Sequence, residues 1–329
     1  MKLLSKLLFA CTAFLLAACG GKREQAETAS VRSVNVPMFN ADTAYFFIEK
    51  QVSFGPRVPN TAAHAQAADY FVETLNSYGA KVKVQEFQAS TFDGKKLNLK
   101  NIIASFNPDV KKRILLAAHW DTRPFADKDE ARRNEPIEGA NDGASGVGVL
   151  LELARIFGTI DSPEVGVDII LFDGEDWGER DGEERVRPPQ GQDSWWCLGS
   201  QYWSRNKHIP NYTAYYGILL DMVGAKGSQF HREGYSMQYA PRIVDRIWNT
   251  AIRLGFGNYF VKQNQGSIID DHLYVNEIAR IPMVNIVHYD PVHGYFGDYH
   301  HTHKDNMSII DKETLHAVGQ TLLHVIFHE

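Results

Sequence analysis

Acidic and histidine side chains recur in this sequence directly after short apolar segments. They occur at His119 with Asp121, at Asp142, at Glu175 with Asp176, at Asp221, at 270–272 and at 300–303. Carboxylates and imidazoles that meet away from water repel one another or lose hydration unless a positive charge lies among them. Their oxygen and nitrogen atoms are ligands that suit Zn²⁺. Because cysteine is absent from this set, we expect a metal site with an open coordination position rather than a closed structural site.

Each of these side chains also has an ordinary structural explanation. His119 and Asp121 point the same way if the strand continues, so Asp121 would orient the imidazole, but a simple histidine–acid pair fits the spacing equally well. Asp142 precedes a predicted helix, where aspartate is a common N-cap. Glu175 and Asp176 are adjacent and point in different directions, so one can bind metal while the other moves protons. The last cluster leaves open which histidine would bind: His300, His301 or His303.

Strands and helices alternate along the part of the chain that carries these residues. The predicted strands are 81–88, 114–118, 167–172, 218–220 and 283–287, and the predicted helices are 61–78, 146–157 and 312–327. Most of these strands are continuous apolar segments, which is typical of strands buried on both faces. The alternation predicts an α/β domain, a three-layer α/β/α sandwich around a central mixed, mostly parallel sheet. Sites in such folds form at the carboxyl ends of the strands, where the acidic and histidine residues occur.

The N-terminus resembles a bacterial lipoprotein signal. Lys2 and Lys6 precede an apolar segment that is too short to span a bilayer as a helix. This segment ends in LAACG, so we expect 1–18 to be a signal peptide and Cys19 to receive lipid; a plain signal peptide with an incidental cysteine is the alternative. Residues 19–36 then form a lipidated tether, and 37–329 a single catalytic domain. The expected location is the periplasm or the outer membrane, with the membrane reached only through the lipid.

Composition and charge exclude several classes of protein. The 329 residues are 44% hydrophobic and 22% charged, which is typical of a globular chain and not of a disordered one. The formal net charge is −6, so we expect no binding to nucleic acid. Of the three cysteines, Cys11 would be removed and Cys19 lipidated, which leaves Cys197 alone. The mature chain would then have no intrachain disulfide, and its stability must come from a hydrophobic core.

The order of the motifs resembles the zinc-dependent M28 peptidase clan and, within it, the bacterial glutaminyl cyclases that are related to the animal enzyme. The matching segments are AHWDTRPFAD at 118–127, GANDGASGVGVLLELAR at 139–155, LFDGED at 171–176, QDSWWCLGSQYW at 192–203, LLDMVGA at 219–225, IDDH at 269–272 and HTHKDN at 301–306. The resemblance covers nearly the whole mature chain. It implies one zinc ion on Asp142, Asp176 and His301, with Asp176 at a position where the animal enzymes carry glutamate.

The resemblance also implies an activity and a set of roles. The reaction would close the N-terminal glutamine of peptides or proteins to pyroglutamate and release ammonia. Glu175 would be the proton-transferring acid and base, with Asp221 and Asp270 in an acidic network beside it. Trp196 would form a wall of the substrate pocket. His300 stands where the animal enzymes carry tryptophan, so the resemblance does not decide whether His300 forms part of the pocket wall.

Two other functions remain open at this stage. An aminopeptidase of the same clan would hold two zinc ions bridged by one carboxylate, and His119 and Asp221 would complete its second site. A surface lipoprotein that only binds a ligand is the third possibility, and the intact set of metal-capable residues argues against it. Five aromatic residues favour the cyclase because they would line a dry pocket: Trp177, Trp195, Trp196, Tyr202 and Trp203. Of these we assign Trp177 and Trp196, with His300, to substrate binding in a monomeric enzyme; a capping loop packed by aromatic residues is the alternative.

Overall fold

A mixed sheet crosses the protein in the computed structural model, which describes residues 34–180 and 186–329. The strands β1 to β8 are Lys81–Ser90, Lys96–Phe106, Arg113–His119, Gly166–Phe172, Tyr216–Asp221, Phe230–Arg232, Phe260–Asn264 and Met283–Val287. The main sheet has the order β1-β2-β4-β3-β5-β8. β1 with β2 and β2 with β4 are antiparallel, whereas β4, β3, β5 and β8 are mutually parallel. β6 and β7 pair separately.

Helices cover both faces of this sheet. The α-helices α1 to α8 are Ala41–Val52, Ala62–Ser77, Ala144–Thr159, Leu198–Arg205, Gly234–Tyr239, Pro241–Arg253, Asp271–Tyr274 and Lys312–Phe327. A π-helical turn, Val275–Ala279, follows α7, and a 3₁₀ turn, Met307–Ile309, precedes α8. Side-chain caps begin two of the long helices: Thr61 accepts a hydrogen bond from a backbone N–H of α2, and Asp311 accepts one from α8.

Strand β3 shows why the sheet is buried on both faces. Ile114 and Leu116 pack into a core shared with α1, α2, α3, α6 and α8. Leu115 and Ala117 point the opposite way, into a second core that contains Trp203 of α4 and part of the π-helical turn. Successive side chains of a strand alternate between faces, so a continuous apolar strand supplies both cores. The predicted three-layer α/β/α sandwich with a mixed, mostly parallel sheet is confirmed.

The predicted strands and helices are confirmed, with shifts of a few residues at some ends. The segments 283–287 and 312–327 coincide with β8 and α8, and the helix predicted at 61–78 is α2. Strand β2 was missed because its first half alternates polar and apolar residues whereas its second half is buried throughout, so no single period dominates. Helices α1 and α4 to α7 and the short strands β6 and β7 were also missed.

The described residues begin within the predicted tether. Val36 packs against the larger core, which brings the end of that tether onto the domain. The predicted signal peptide and Cys19 lie outside the described residues. Across 34–180 and 186–329, none of the helices combines the length and the apolar character needed to traverse a lipid bilayer.

Candidate metal centre and active site

The carboxyl ends of the parallel strands β3, β4 and β5 form the floor of the candidate site. His119 is the last residue of β3, Asp221 is the last residue of β5, and Asp173 directly follows β4. Asp142 and Asp176 lie on the segments that leave β3 and β4. Neighbouring parallel strands end at the same edge of a sheet, so residues far apart in the chain meet here.

Asp142, Asp176 and His301, which we name the first metal group, lie together at this edge. His301 Nε2 is 3.1 Å from Asp176 Oδ1 and 3.8 Å from Asp142 Oδ2. His301 comes from the loop between β8 and α8, where its φ of 59° is in the left-handed region that few histidines adopt. The structure thus brings together the three residues that the resemblance implies as zinc ligands.

Asp142 also belongs to a second metal group, with His119 and Asp221. His119 Nε2 lies 3.1 Å from Asp142 Oδ1 and 3.4 Å from Asp221 Oδ1. Asp142 therefore stands between two possible cation positions, as a carboxylate that bridges two metal ions would. The ligands required by the two-metal alternative are all present.

His300 lies against the first metal group. Its ring stacks on that of His301 with centroids 3.6 Å apart, and its Nε2 is 4.0 Å from Asp142 Oδ2. The other ring nitrogen, Nδ1, is 2.6 Å from Lys128 Nζ. Burial lowers the pKa of His300 to about 3, and the positive charge of Lys128 adds to this shift. The ring is therefore neutral at physiological pH.

Buried polar atoms without hydrogen bonds show that a cation fits the two groups. Among the described residues, both carboxylate oxygens of Asp176, both ring nitrogens of His119 and Oδ1 of Asp221 are buried and form no hydrogen bond. Burial raises the pKa of Asp176 well above its ordinary value, and repulsion from Asp142 adds to the rise. Burial likewise raises the pKa of Asp221 to about 7. A divalent ion would relieve both effects, and this oxygen and nitrogen donor set suits zinc.

Asp121 holds the backbone of the loop that follows β4. Its two carboxylate oxygens accept hydrogen bonds from the backbone N–H groups of Glu175, at 3.0 Å, and Asp176, at 3.2 Å. The sequence leaves open whether Asp121 orients His119 or the two form a simple histidine–acid pair. Asp121 Oδ1 is 3.7 Å from His119 Nδ1, which is an ion-pair distance but too long for a hydrogen bond.

Asp305 does the same for the loop before α3. Its carboxylate accepts hydrogen bonds from the backbone N–H groups of Asn141, at 2.7 Å, and Asp142, at 3.0 Å. Asp142 is not the N-cap of α3, because that position is held by Gly143. Gly143 has φ 93°, and a Cβ atom there would lie 2.8 Å from the carbonyl oxygen of Asp121, so only glycine fits.

A cavity of about 350 Å³ opens beside the first metal group. Its lining residues are Asp142, Glu175, Trp196, Asp221, Met222, Ser267, Ile268, Ile269, Asp270, Tyr295, Phe296, His300 and His301. The ring of Trp196 lies parallel to that of His301, 5.9 Å away, and the Arg123 guanidinium lies 4.6 Å from the Trp196 ring centre. Trp196 and His300 therefore occupy positions that fit the predicted role in substrate binding.

The prediction that Trp177 binds substrate is wrong. Its side chain is only 4% exposed and packs with Leu97, Leu99 and Leu198 in a separate apolar cluster. The neighbouring Asp176 reaches the first metal group. Adjacency in sequence to a proposed metal ligand therefore does not place Trp177 in the substrate pocket.

Most of the aromatic residues at 177–203 pack the interior instead of lining the pocket. Trp195 and Trp203 are buried, and the ring of Tyr202 stacks on that of Phe87. The other aromatic walls of the cavity are Tyr295 and Phe296, which were missed. Their only sequence signal was that they closely precede the histidine cluster.

Glu175 lines the cavity next to Asp270. Its Oε1 accepts a hydrogen bond from Cys197 Sγ at 3.2 Å. One carboxylate oxygen of each acid and this sulfur lie within 4.8 Å of one another. Burial raises the pKa of Glu175 well above its ordinary value, and the charges of Asp176 and Asp270 add to the rise. A carboxyl group with a raised pKa can both accept and donate a proton near neutral pH.

Asp270 is positioned by a buried hydrogen-bond network that the sequence did not reveal. Asn285 donates to Asp270 Oδ2 at 2.6 Å. Glu233 accepts a hydrogen bond from the backbone N–H of Ile268 at 2.9 Å, and its Oε2 lies 2.9 Å from His272 Nε2. Glu233 thus fixes the backbone at Ile268 and the side chain of His272, which lie on either side of Asp270 in the sequence.

The role of Glu233 predicts a pH dependence of stability. Burial alone raises the pKa of Glu233, but hydrogen bonds from His272, Ser236 and Tyr235 outweigh it and lower the pKa from 4.5 to about 2. The carboxylate therefore stabilises the fold fully above about pH 4.5, and on the order of 3 kcal/mol is lost as the pH falls towards about 2. In urea denaturation of the metal-free protein, Glu233→Gln should show a smaller fall in unfolding free energy than wild type between about pH 5 and pH 3.

The matched control is Glu73→Gln, which changes an exposed glutamate of α2. This variant should follow the wild-type pH dependence. Equal pH dependence in Glu233→Gln and wild type would contradict the role given to Glu233.

Comparison with known proteins places the chain in a family. The model of peptidase family M28 matches residues 101–326. A bovine glutaminyl-peptide cyclotransferase-like protein is 30% identical over 301 residues, which cover 81% of this chain and 70% of that protein.

Two solved structures are similar over almost their whole length. The glutaminyl cyclase of Tannerella forsythia is 50% identical, with a TM-score of 0.85 and coverage of 89% of this chain and 100% of that one. A leucine aminopeptidase precursor of Bacteroides thetaiotaomicron is 49% identical, with a TM-score of 0.84 and coverage of 90% and 99%. The family match, the fold and the arrangement of the metal groups agree with one another. This chain belongs to peptidase family M28 and, within it, to the glutaminyl cyclases.

Proposed function

We propose that the protein is a zinc-dependent glutaminyl-peptide cyclotransferase, which converts the N-terminal glutamine of peptides and proteins to pyroglutamate and releases ammonia. The observation that carries this proposal is the position of Glu175, whose carboxyl group lines a cavity with aromatic walls beside the first metal group. The identity of 50% to a bacterial glutaminyl cyclase, over that whole chain, supports the same activity.

The reaction needs orientation more than it needs a strong nucleophile. The α-amine of an N-terminal glutamine attacks its own side-chain amide carbon, a new C–N bond closes a five-membered ring, and the bond to the side-chain nitrogen breaks. Well-oriented intramolecular reactions reach effective molarities on the order of 10⁵ M or more. The cavity of about 350 Å³ can hold the bent side chain between Trp196 and Phe296. These apolar walls also exclude the water that would otherwise hydrolyse the amide.

Glu175 is placed to move the proton that this reaction transfers. The attacking amine loses a proton and the departing nitrogen gains one, and a single carboxyl group beside both can serve each step. Such transfer by a positioned side chain contributes about 10²–10⁴-fold to the rate. One carboxylate oxygen of Asp270 lies within 4.8 Å of one of Glu175, and the charge of Asp270 helps to raise the pKa of Glu175. Zinc, when bound by Asp142, Asp176 and His301, supplies Lewis-acid polarisation of the side-chain carbonyl.

We propose that one zinc ion, in the first metal group, is sufficient. The nucleophile is the substrate's own amine, so no activated water is required. The second metal group favours the alternative function, a two-metal aminopeptidase, because His119 and Asp221 are in contact and ready to bind a second ion. The two functions therefore predict different zinc contents and different products.

A paired assay tests the proposed function. Zinc-loaded protein is incubated with peptides that begin with glutamine and, separately, with amino-acid anilides, while ammonia, pyroglutamate and free aromatic amine are measured. We expect ammonia and pyroglutamate in equal amounts, no anilide cleavage and one zinc ion per chain by metal analysis. Anilide cleavage with two zinc ions would establish the aminopeptidase instead, and zinc binding without turnover of either substrate would indicate a binding protein.

The substitution Glu175→Gln tests the proton-transfer role. It removes the acid and base but none of the proposed ligands, so kcat should fall by about 10²–10⁴-fold while zinc content stays the same. Glu164→Gln, an exposed glutamate before β4, is the control and should keep full activity. Survival of most of the activity in Glu175→Gln would show that another group transfers the proton.

We further propose that the enzyme is a bacterial lipoprotein, held at a membrane by lipid on Cys19 and acting as a monomer in the periplasm or at the outer membrane. The support is the sequence alone: two lysines, a short apolar segment and LAACG. The polar stretch that follows is suited to a flexible tether. Its substrates would then be exported peptides and proteins with N-terminal glutamine.

Cell fractionation tests this location. The full chain expressed in a bacterial host should enter the membrane fraction and partition into detergent, whereas Cys19→Ser should lose the lipid and the membrane association. Cys197→Ser, which changes the buried cysteine of the domain, should remain lipidated. Membrane association of Cys19→Ser equal to wild type would exclude lipidation at Cys19 as the anchor.

A further inference from the structure

Lys128 contacts the ring of His300, which lines the cavity. Lys128 Nζ lies 2.6 Å from His300 Nδ1. A lysine ammonium group has donors only, so Nδ1 of the ring must be the acceptor. A neutral imidazole that accepts at Nδ1 carries its proton on Nε2. The contact therefore makes Nε2 of His300 an N–H group.

The His300 ring lines the cavity beside the first metal group, and its Nε2 is 4.0 Å from Asp142 Oδ2. One ring nitrogen of His300, one oxygen of Asp142 and one ring nitrogen of His301 lie within 4.8 Å of one another. By distance alone, these three residues would form a metal site. A ring nitrogen that bears a proton has no free electron pair for a metal ion, so the tautomer set by Lys128 excludes His300 as a ligand.

The His300 ring is also held in place by its neighbours. It is 8% exposed, stacks on His301 and meets the edge of Phe296 with centroids 4.5 Å apart. Asp142 Oδ2 is 4.0 Å from Nε2, which is too far to accept its proton. The ring is thus held in place in the lining of the cavity that a substrate would enter.

We propose that His300 donates a hydrogen bond from Nε2 to the side-chain amide oxygen of the substrate glutamine, and that Lys128 fixes the tautomer that can donate. This inference rests on the proposed function. Negative charge develops on that oxygen as the ring closes, and a donor that is already in position stabilises it without reorganisation. His300 contacts the substrate, whereas Lys128 acts through His300 and is a positioning residue.

The first test reads the tautomer and the metal without any turnover. Long-range ¹H–¹⁵N spectra of ¹⁵N-histidine-labelled, zinc-loaded protein identify His300 by the signal lost in His300→Gln. We expect the Nε2–H tautomer in wild type and a mixture of tautomers in Lys128→Met. Zinc affinity, measured by chelator competition, should be unchanged in both variants. A loss of zinc affinity of about 10-fold or more in His300→Gln would overturn the proposal by making His300 a ligand.

The second test is a double-mutant cycle in the cyclisation assay. Lys128→Met should lower kcat by about 10- to 100-fold, with little change in KM, because the donor is lost from the transition state. The amide of His300→Gln donates without help from a lysine, so Lys128→Met should cost nothing further in that background. An equal loss in both backgrounds would overturn the positioning role.

The matched control is Lys304→Met. Lys304 lies near His300 in the chain but is exposed and paired with Asp298, so this variant should behave as wild type in both tests. A wild-type protein that does not cyclise glutamine peptides would overturn the proposed function alone. The tautomer and the zinc affinity would still decide whether His300 is a donor or a ligand.

Discussion

Crowding of negative charge at one edge of the sheet is the constraint on which the rest of this structure depends. Asp142, Asp176, Asp221 and Glu175 converge there in buried or partly buried positions, and burial raises the pKa of the last three. Carboxylates in such a place are stable together only when protonated or when a cation lies among them. The same crowding provides a zinc site and a carboxyl group whose pKa suits proton transfer.

The fold holds these acids together through backbone contacts as well as through the strands. Asp121 and Asp305 each accept two backbone N–H hydrogen bonds from a loop that carries a proposed ligand. Both carboxylate oxygens of Asp176 are buried and form no hydrogen bond within the described part of the chain. Because the acids repel one another without a cation, metal binding and folding stability are linked in this protein.

The ligand set does not by itself distinguish cyclisation from peptide hydrolysis. Asp142 is shared by two groups, and the second, with His119 and Asp221, could hold another ion. Structures of nearly equal identity to this chain are a glutaminyl cyclase and a leucine aminopeptidase precursor. The difference must come from the cavity, where Trp196, Phe296 and His300 shape the space beside the metal.

The sequence by itself determined the sandwich fold and identified most of the reactive acids. Continuous apolar segments mark the buried strands, and acidic residues directly after such strands lose hydration, so both form a pattern that is visible in the sequence. Only the tertiary structure decided that Trp177 packs in the core, that Phe296 lines the cavity, that Asp305 supports Asp142, and that Lys128 contacts His300. The spacing of apolar residues along the chain indicates whether a segment is a helix or a strand and which of its faces is buried. The direction of a loop side chain, and its partner from a distant part of the chain, depend on how the elements pack against one another.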